Sequence, residues 1–382
     1  MDWQERKLLK RNIKVSPEFE IILIAIVLVL ACVIPGTFLV LRRLSLMSDA
    51  ISHSALLGIV IVFFIVKRLD SMWLILGASV VGMITVVLVE LLISTKRLKE
   101  DAAIGLVFPA FFSIGVILIN KFATHVHFDS DCILFGEIAF APFERMLLIG
   151  IDLGPKALWI MGVILLINVT FLLVFYKELK LSTFDNGLAK LMGFKPRFLH
   201  YMLMLMTSVT AVGAFESVGS ILVVALMITP AATALLLSGR LSVMLMFGFA
   251  FGIGSVLSGY SLAASFDTSI AGSIVTMSGV FFLAVLLFSF PHGMLAKLIR
   301  FKQQKIEFSA SMLLVQLFDH EGKKNEGFEN TMTNMVDHMD WSYPFSAKIT
   351  RYCVRMNYIT RQGDQLYLTN LGREMARQAL LI

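Results

Sequence analysis

Residues 41–58 read LRRLSLMSDAISHSALLG, a charged corner set between two apolar runs. Before the corner, residues 20–41 carry enough apolar side chains to cross a hydrocarbon layer, which takes about 20 residues of helix. After it the apolar run resumes at 50 and continues to Val66. Arg42 and Arg43 favour the cytoplasmic side, where lysine and arginine accumulate next to spans. The stretch therefore predicts a helical hairpin in a membrane, with Asp49 and His53 at the mouth of its second arm. An acid and an imidazole at that depth are costly and call for a partner or a task.

The same pattern repeats outward along the chain. Runs near 71–94, 102–120, 157–176, 198–215, 218–237, 241–264 and 271–291 are also long and apolar, which gives eight or nine transmembrane helices. Pro35-Gly36, Pro109 and Pro230 interrupt such runs, and neighbouring helices must satisfy the backbone groups they free. Composition agrees with an all-α polytopic membrane protein. Of 382 residues 57% are hydrophobic and only 16% charged, and the mean hydropathy is +0.82. The basic N-terminus leads into a long apolar run without a small-residue cleavage site, so the first span is expected to be retained.

Charge divides the chain. Residues 300–382 hold 20 of the 60 Asp, Glu, Lys and Arg side chains, which marks a small soluble domain after a membrane domain of residues 1–299. Stretches 309–321, 328–336 and 345–357 read as helices, 358–369 as a hairpin turning at Gly363-Asp364, and 370–380 as a last helix. That order is the order of a winged helix, an α+β module. Lys348, Arg351 and Arg355, with Arg361 at the wing, have the spacing of a DNA reader. The membrane tether and near-balanced charge favour a protein-contact or regulatory role over nucleic-acid binding. The net charge of +6 fits basic loops beside anionic lipid. With nine spans and the tail inside, the N-terminus lies outside, as does 122–156, while 42–49, 95–101 and 177–197 lie inside.

Several chemistries are excluded. Cys32, Cys132 and Cys353 form no CxxC pair, so neither a disulfide framework nor a thiolate zinc site is indicated. Without HExxH there is no support for an intramembrane metalloprotease, and without GxxxxGK[ST] any ATPase is another chain. An ion-coupled secondary metal transporter, which would need inverted repeats that the sequence does not display, and a membrane-tethered regulator acting through the tail stay open as alternatives.

Asp49 and His53 stand at i and i+4, on one face of a helix. Two readings fit that spacing: a helix cap with its ion-pair partner, or two donors of an open site for manganese, iron or zinc, completed by a second subunit. The loop His125, His127, Asp129, Asp131 alternates four potential ligands, which suits cation capture at an entrance as well as it suits a solvated loop. Glu216 and Pro230 flank a glycine-containing run that reads as a packed hinge or as a gate. His200 and His292 fall at span ends and read as interfacial. The 21 Met residues read as adaptable packing rather than a soft-metal path. Residues 182–198 read as a short amphipathic helix capped by Asp185, with Leu188, Leu191 and Met192 on one face, a docking knob for a partner.

The stretches LRRLSLMSDAISHSALLG, KEDAAIGLVFPAFFSIG, DCILFGEIAF, FDNGLAKLMGF and SVGSILVVALMITPAATA together resemble the bacterial ABC-transporter permeases for manganese, zinc and iron, distant relatives of the cobalamin and siderophore permeases. The resemblance runs over residues 20–295. It implies a cobalamin-permease-like fold in the bacterial cytoplasmic membrane, as a homodimer or paired permease. Cytoplasmic ABC ATPase subunits would bind the ATP, and an extracytoplasmic metal-binding protein would deliver the cargo. There would be no catalytic residue and no resident cofactor. By the same resemblance Asp49 and His53 line the cation path. Phe184, Asp185, Leu188, Ala189, Leu191, Met192 and Gly193 match the helix that docks into the ATPase. Leu56-Leu57-Gly58 replaces the Leu-Pro-Gly common in the family, which implies a straighter helix. The tail resembles metal-dependent repressors, but Glu307, His320 and His338 make no recognisable repressor site, so metal sensing is not implied.

Overall fold

The computed structural model describes residues 16–67, 72–122, 138–148, 151–289, 293–323, 330–331 and 339–380. The chain divides into two compact units, Met1–Ser289 and Phe290–Ile382. Nine helices among the described residues of the first unit are long and apolar enough to cross a membrane. They are α1 (Pro17–Leu41), α2 (Ser45–Val66), α3 (Met72–Ser94), α4 (Glu100–Phe122), α5 (Lys156–Val174), α8 (Pro196–Val218), α9 (Ser220–Leu237), α10 (Leu241–Phe266) and α11 (Ile270–Phe288). Two short helices, α6 (Tyr176–Phe184) and α7 (Asn186–Leu191), join α5 to α8, and a hairpin of β1 (Arg145–Leu148) and β2 (Ile151–Pro155) precedes α5.

Polar contacts mark the two ends of the bundle. At one end Arg145 of β1 bridges Glu20 on α1 at 2.5 Å and Asp152 on β2 at 2.6 Å. At the other, Arg42 after α1 reaches α6 and α8. The parity follows from continuous helices: α1, α3 and α5 run toward the Arg42 end, and α2, α4 and α8 run away from it.

Helix α1 is the hub, packed against α5, α9 and α10, with Ile24, Leu28, Ala31, Cys32, Val33 and Leu39 inaccessible. Its Pro35 lacks an N–H, so the Ala31 carbonyl loses its helical donor. The buried Asn168 of α5 supplies the missing one: its amide donates to the Ala31 carbonyl at 3.0 Å and to Thr210 Oγ1 of α8 at 2.9 Å. One side chain therefore joins three helices and satisfies the acceptor that the proline strands. Asn168→Leu is expected to leave that acceptor unpaired in an apolar interior and to cost about 1–3 kcal/mol. Thermal unfolding of the detergent-purified chain measures it, and an unchanged midpoint would remove Asn168 from this role.

Pro230 is buried within α9, one turn past Met227. There α1 and α9 meet so closely that a Cβ on Gly36 would lie 1.9 Å from the Met227 carbonyl oxygen. Helix α8 ends at Gly219 (φ +77°), and α9 starts at the next residue.

In the second unit α12 (Met294–His320) is followed by α13 (Tyr343–Arg355), the hairpin β3 (Ile359–Gln362)–β4 (Gln365–Leu368) and α14 (Asn370–Leu380). Leu313, Leu314, Leu317, Ile349, Cys353, Ile359, Leu366 and Ala376 form its core. Helix α12 runs unbroken through 299/300, carrying into this unit residues that the charge count assigns to the membrane domain. The helix expected over 328–336 lies mostly outside the described residues. At its two described positions the chain is not helical: Asn330 accepts from the Leu366 N–H at 3.1 Å and Thr331 bridges Gln365. Backbone pairing to the edge of β4 outweighs the weak helical preference of the Asn-Thr pair.

Candidate functional site

Helix α2 starts at Ser45, with Leu44 at its N-cap, five residues before the apolar run. Residues 45–49, with polar Ser45, Ser48 and Asp49, begin the helix because the corner closes before them: Arg43 has φ +63°, and the Leu44 N–H donates to the Leu39 carbonyl at 2.9 Å. Asp49 is therefore interior to the helix and is not its cap. At about 1.5 Å rise per residue, Asp49 and His53 lie about 6 and 12 Å into α2.

Their side chains meet, with Asp49 Oδ1 3.3 Å from His53 Nε2, and remain 39% and 28% exposed in the single chain. The imidazole stacks on Phe108 at 5.7 Å and meets the edge of Phe112 at 5.9 Å, both on α4. These aromatics, one helical turn apart, hold the ring plane while leaving the carboxylate side open. The sequence reading missed them, although their i, i+4 spacing on an adjacent span was available. Among the described residues no third His, Cys, Asp or Glu joins the pair. One chain thus offers one carboxylate oxygen donor and one imidazole, which is half of the four donors usual for a closed site.

Helix α2 is continuous through Leu56-Leu57-Gly58. Gly58 serves packing: a Cβ there would lie 2.5 Å from the Ala78 backbone on α3. Close approach of α3 on one side and α4 on the other fixes the rotation of α2, and with it the direction of Asp49 and His53.

The second group stands on α6 and α7. Asp185 caps α7, accepting from the Leu188 N–H at 2.9 Å. Ala189 is buried, whereas Leu188, Leu191 and Met192 are 45%, 86% and 62% exposed, and Phe184 is exposed beside them. Gly193 follows the helix with φ +83°. This is an apolar knob on the surface of the chain, at the Arg42 end of the bundle.

Other expected site residues are not assembled with these. His125, His127, Asp129 and Asp131 lie outside the described residues, as does His292. Glu216 occupies the last turn of α8, at the end of the bundle remote from Asp49, and Pro230 packs in α9. His200 is not merely interfacial. Its Nδ1 lies 3.2 Å from Arg42 Nη1, and its Nε2 is held against Glu90 of α3. An acid within an apolar span was the sequence signal for this contact.

Known proteins are similar to this chain over most of its length. The family model for the ABC 3 transport family matches residues 18–289. The zinc transport system membrane protein TroD of Treponema pallidum (strain Nichols) is 43% identical over 361 residues, 94% of this chain and 98% of that protein. That match is longer than the first unit and so reaches into the second. The manganese transport system membrane protein MntD of Bacillus subtilis (strain 168) is 42% identical over 285 residues, 75% of this chain and 96% of that one. Among solved structures, PsaBC from Streptococcus pneumoniae in complex with Fab aligns with a TM-score of 0.62 at 30% identity, covering 79% of this chain and 100% of the matched one. Nine helices long and apolar enough to cross a membrane among the described residues, and a family match that covers some 270 residues, more than half of the chain, lead to one assignment: the chain belongs to the ABC 3 transport family.

Proposed function

We propose that the chain is the membrane permease of an ATP-driven uptake system that carries manganese or zinc across the bacterial cytoplasmic membrane. The observation that carries this reading is the Asp49–His53 pair at 3.3 Å, inside a membrane helix and open on one side. A carboxylate and an imidazole suit manganese, zinc and iron alike, and the relatives named for manganese and zinc narrow the choice to those two. Two donors per chain hold a cation weakly, as a path must for the ion to leave. Pairing with a second permease, identical or not, would bring four donors together. ATP hydrolysis belongs to a separate cytoplasmic subunit docked on the α6–α7 knob, so this chain has no catalytic residue. An extracytoplasmic protein delivers the metal on the opposite side, with His125, His127, Asp129 and Asp131, by their ligand chemistry, as its capture residues. Glu216, in the last turn of α8, and Pro230, buried within α9, fit a hinge better than a gate.

The second unit, read as a cytoplasmic winged helix, rests on the order of α13, the β3–β4 hairpin and α14 around one apolar core. Lys348, Arg351, Arg355 and Arg361 are exposed on it, and the membrane tether favours a protein or regulatory contact.

Uptake by the complete complex in liposomes, with manganese, zinc and iron competing, tests the function. Manganese or zinc is expected to be carried and to block uptake of the other, with iron a weaker competitor. ATP-independent uptake, or transport of none of the three, would overturn it.

A further inference from the structure

We propose that Arg42 is the positioning residue that transmits movement of the α6–α7 knob to the helix bearing Asp49 and His53. The inference rests on the reading of that knob as the ATPase dock.

Arg42 follows the last residue of α1, and α2 begins three residues later. The corner is closed by backbone bonds from Arg42 to Phe38, Arg43 to Val40 and Leu44 to Leu39, so a pull on the guanidinium acts on the first turn of α2, and Asp49 is in the next turn. The guanidinium reaches three ways. Nε donates to Thr183 Oγ1 at 3.2 Å and Nη2 to Ser182 Oγ at 3.1 Å, both in the last turn of α6, two or three residues from the α7 cap Asp185. Nη1 faces His200 Nδ1 on α8 at 3.2 Å. Arginine has only donors, so Nδ1 accepts, and the Nε2 side of the ring lies beside Glu90 of α3. Burial pushes the Arg42 pKa down to about 10, which leaves it cationic at neutral pH. One side chain thus links the α1–α2 corner, the knob and α8, and through His200 it reaches α3.

Two further features make this link a transmission rather than the fastening of the fold. Phe38, Leu172, Leu179 and Leu203 already hold α1, α5, α6 and α8 together through an apolar cluster that does not include Arg42. A cavity of about 590 Å³ lies against the polar network, walled also by Asn186 and Lys190 of α7, so α7 faces the corner across open space and the directed hydrogen bonds to Arg42 come from α6. A lysine would keep the charge but could not make three divergent contacts.

The test uses the full complex with ATPase and metal-binding protein in liposomes, reading metal carried per ATP hydrolysed. Arg42→Lys is expected to assemble at the wild-type level and to hydrolyse ATP, while metal carried per ATP falls at least about tenfold, the scale of one lost charge-assisted hydrogen bond. The double change Ser182→Ala with Thr183→Ala should lower the same ratio, and adding it to Arg42→Lys should give no further loss. An unchanged ratio in Arg42→Lys, additive losses, or a parallel fall of assembly, hydrolysis and uptake would each overturn the inference. The docking reading fails separately, if the ATPase still binds when the apolar face of α7 carries acids.

Discussion

Asp49→Ala and His53→Ala are each expected to lower ATP-driven metal uptake by about a hundredfold or more, with the permease still inserted and still bound to its ATPase. Losing even a group that only supports a ligand costs about 10–100-fold in metal affinity or activity, and no third His, Cys, Asp or Glu among the described residues joins these two at their site. Assembly should survive because the pair contributes little to packing. Asp49 meets His53, His53 rests on Phe108 and Phe112, and both side chains are partly open. Uptake of a radioactive metal into proteoliposomes, beside co-purification of the ATPase, measures both quantities. Near-normal uptake in both variants would remove the pair from the path. Lost uptake accompanied by lost assembly would show a structural role instead.

The second large effect concerns the knob. Leu188→Asp with Leu191→Asp should weaken ATPase association by at least about a hundredfold and stop uptake. Burial of a leucine is worth about 1.5–3 kcal/mol, and each 1.4 kcal/mol is tenfold in affinity. The bundle itself should be unaffected, because Leu191 is 86% exposed and Leu188 45% exposed. Ala189→Asp is the contrasting change, since its side chain is fully buried and the acid would disturb the fold itself. Pull-down of the ATPase by each purified permease variant separates the two cases. Undiminished binding by the Leu188/Leu191 variant would show that the dock is elsewhere.

Most of the bundle was legible because membrane spans obey one dominant constraint. Every backbone polar group in lipid must be bonded within a helix, so a long apolar run admits one structure. The limits of that rule appear where polar residues continue a helix. Residues 45–49 look like a loop by hydropathy, yet the Arg43–Leu44 corner closes early enough for α2 to include them, which places Asp49 inside the helix. The Asp49–His53 contact followed from i, i+4 spacing, and the Asp185 cap from its place before a short amphipathic run. The aromatic clasp on His53 and the contacts of Arg42 could not be read in this way. They join residues tens to more than a hundred positions apart, and no local period records which helices become neighbours. In the second unit the hairpin was announced by Gly363-Asp364, whereas the bridge at Thr331 depends on a strand edge supplied from 34 residues away.

Pro35 depends on Asn168 across 133 positions of sequence. An alanine at 35 would return to the Ala31 carbonyl a donor from its own helix and make the amide at 168 dispensable there. Loss of the amide alone would make the proline a defect. The amide is therefore expected to be lost only after the proline, and a chain that keeps Pro35 while losing Asn168 should show its damage where α1, α5 and α8 meet.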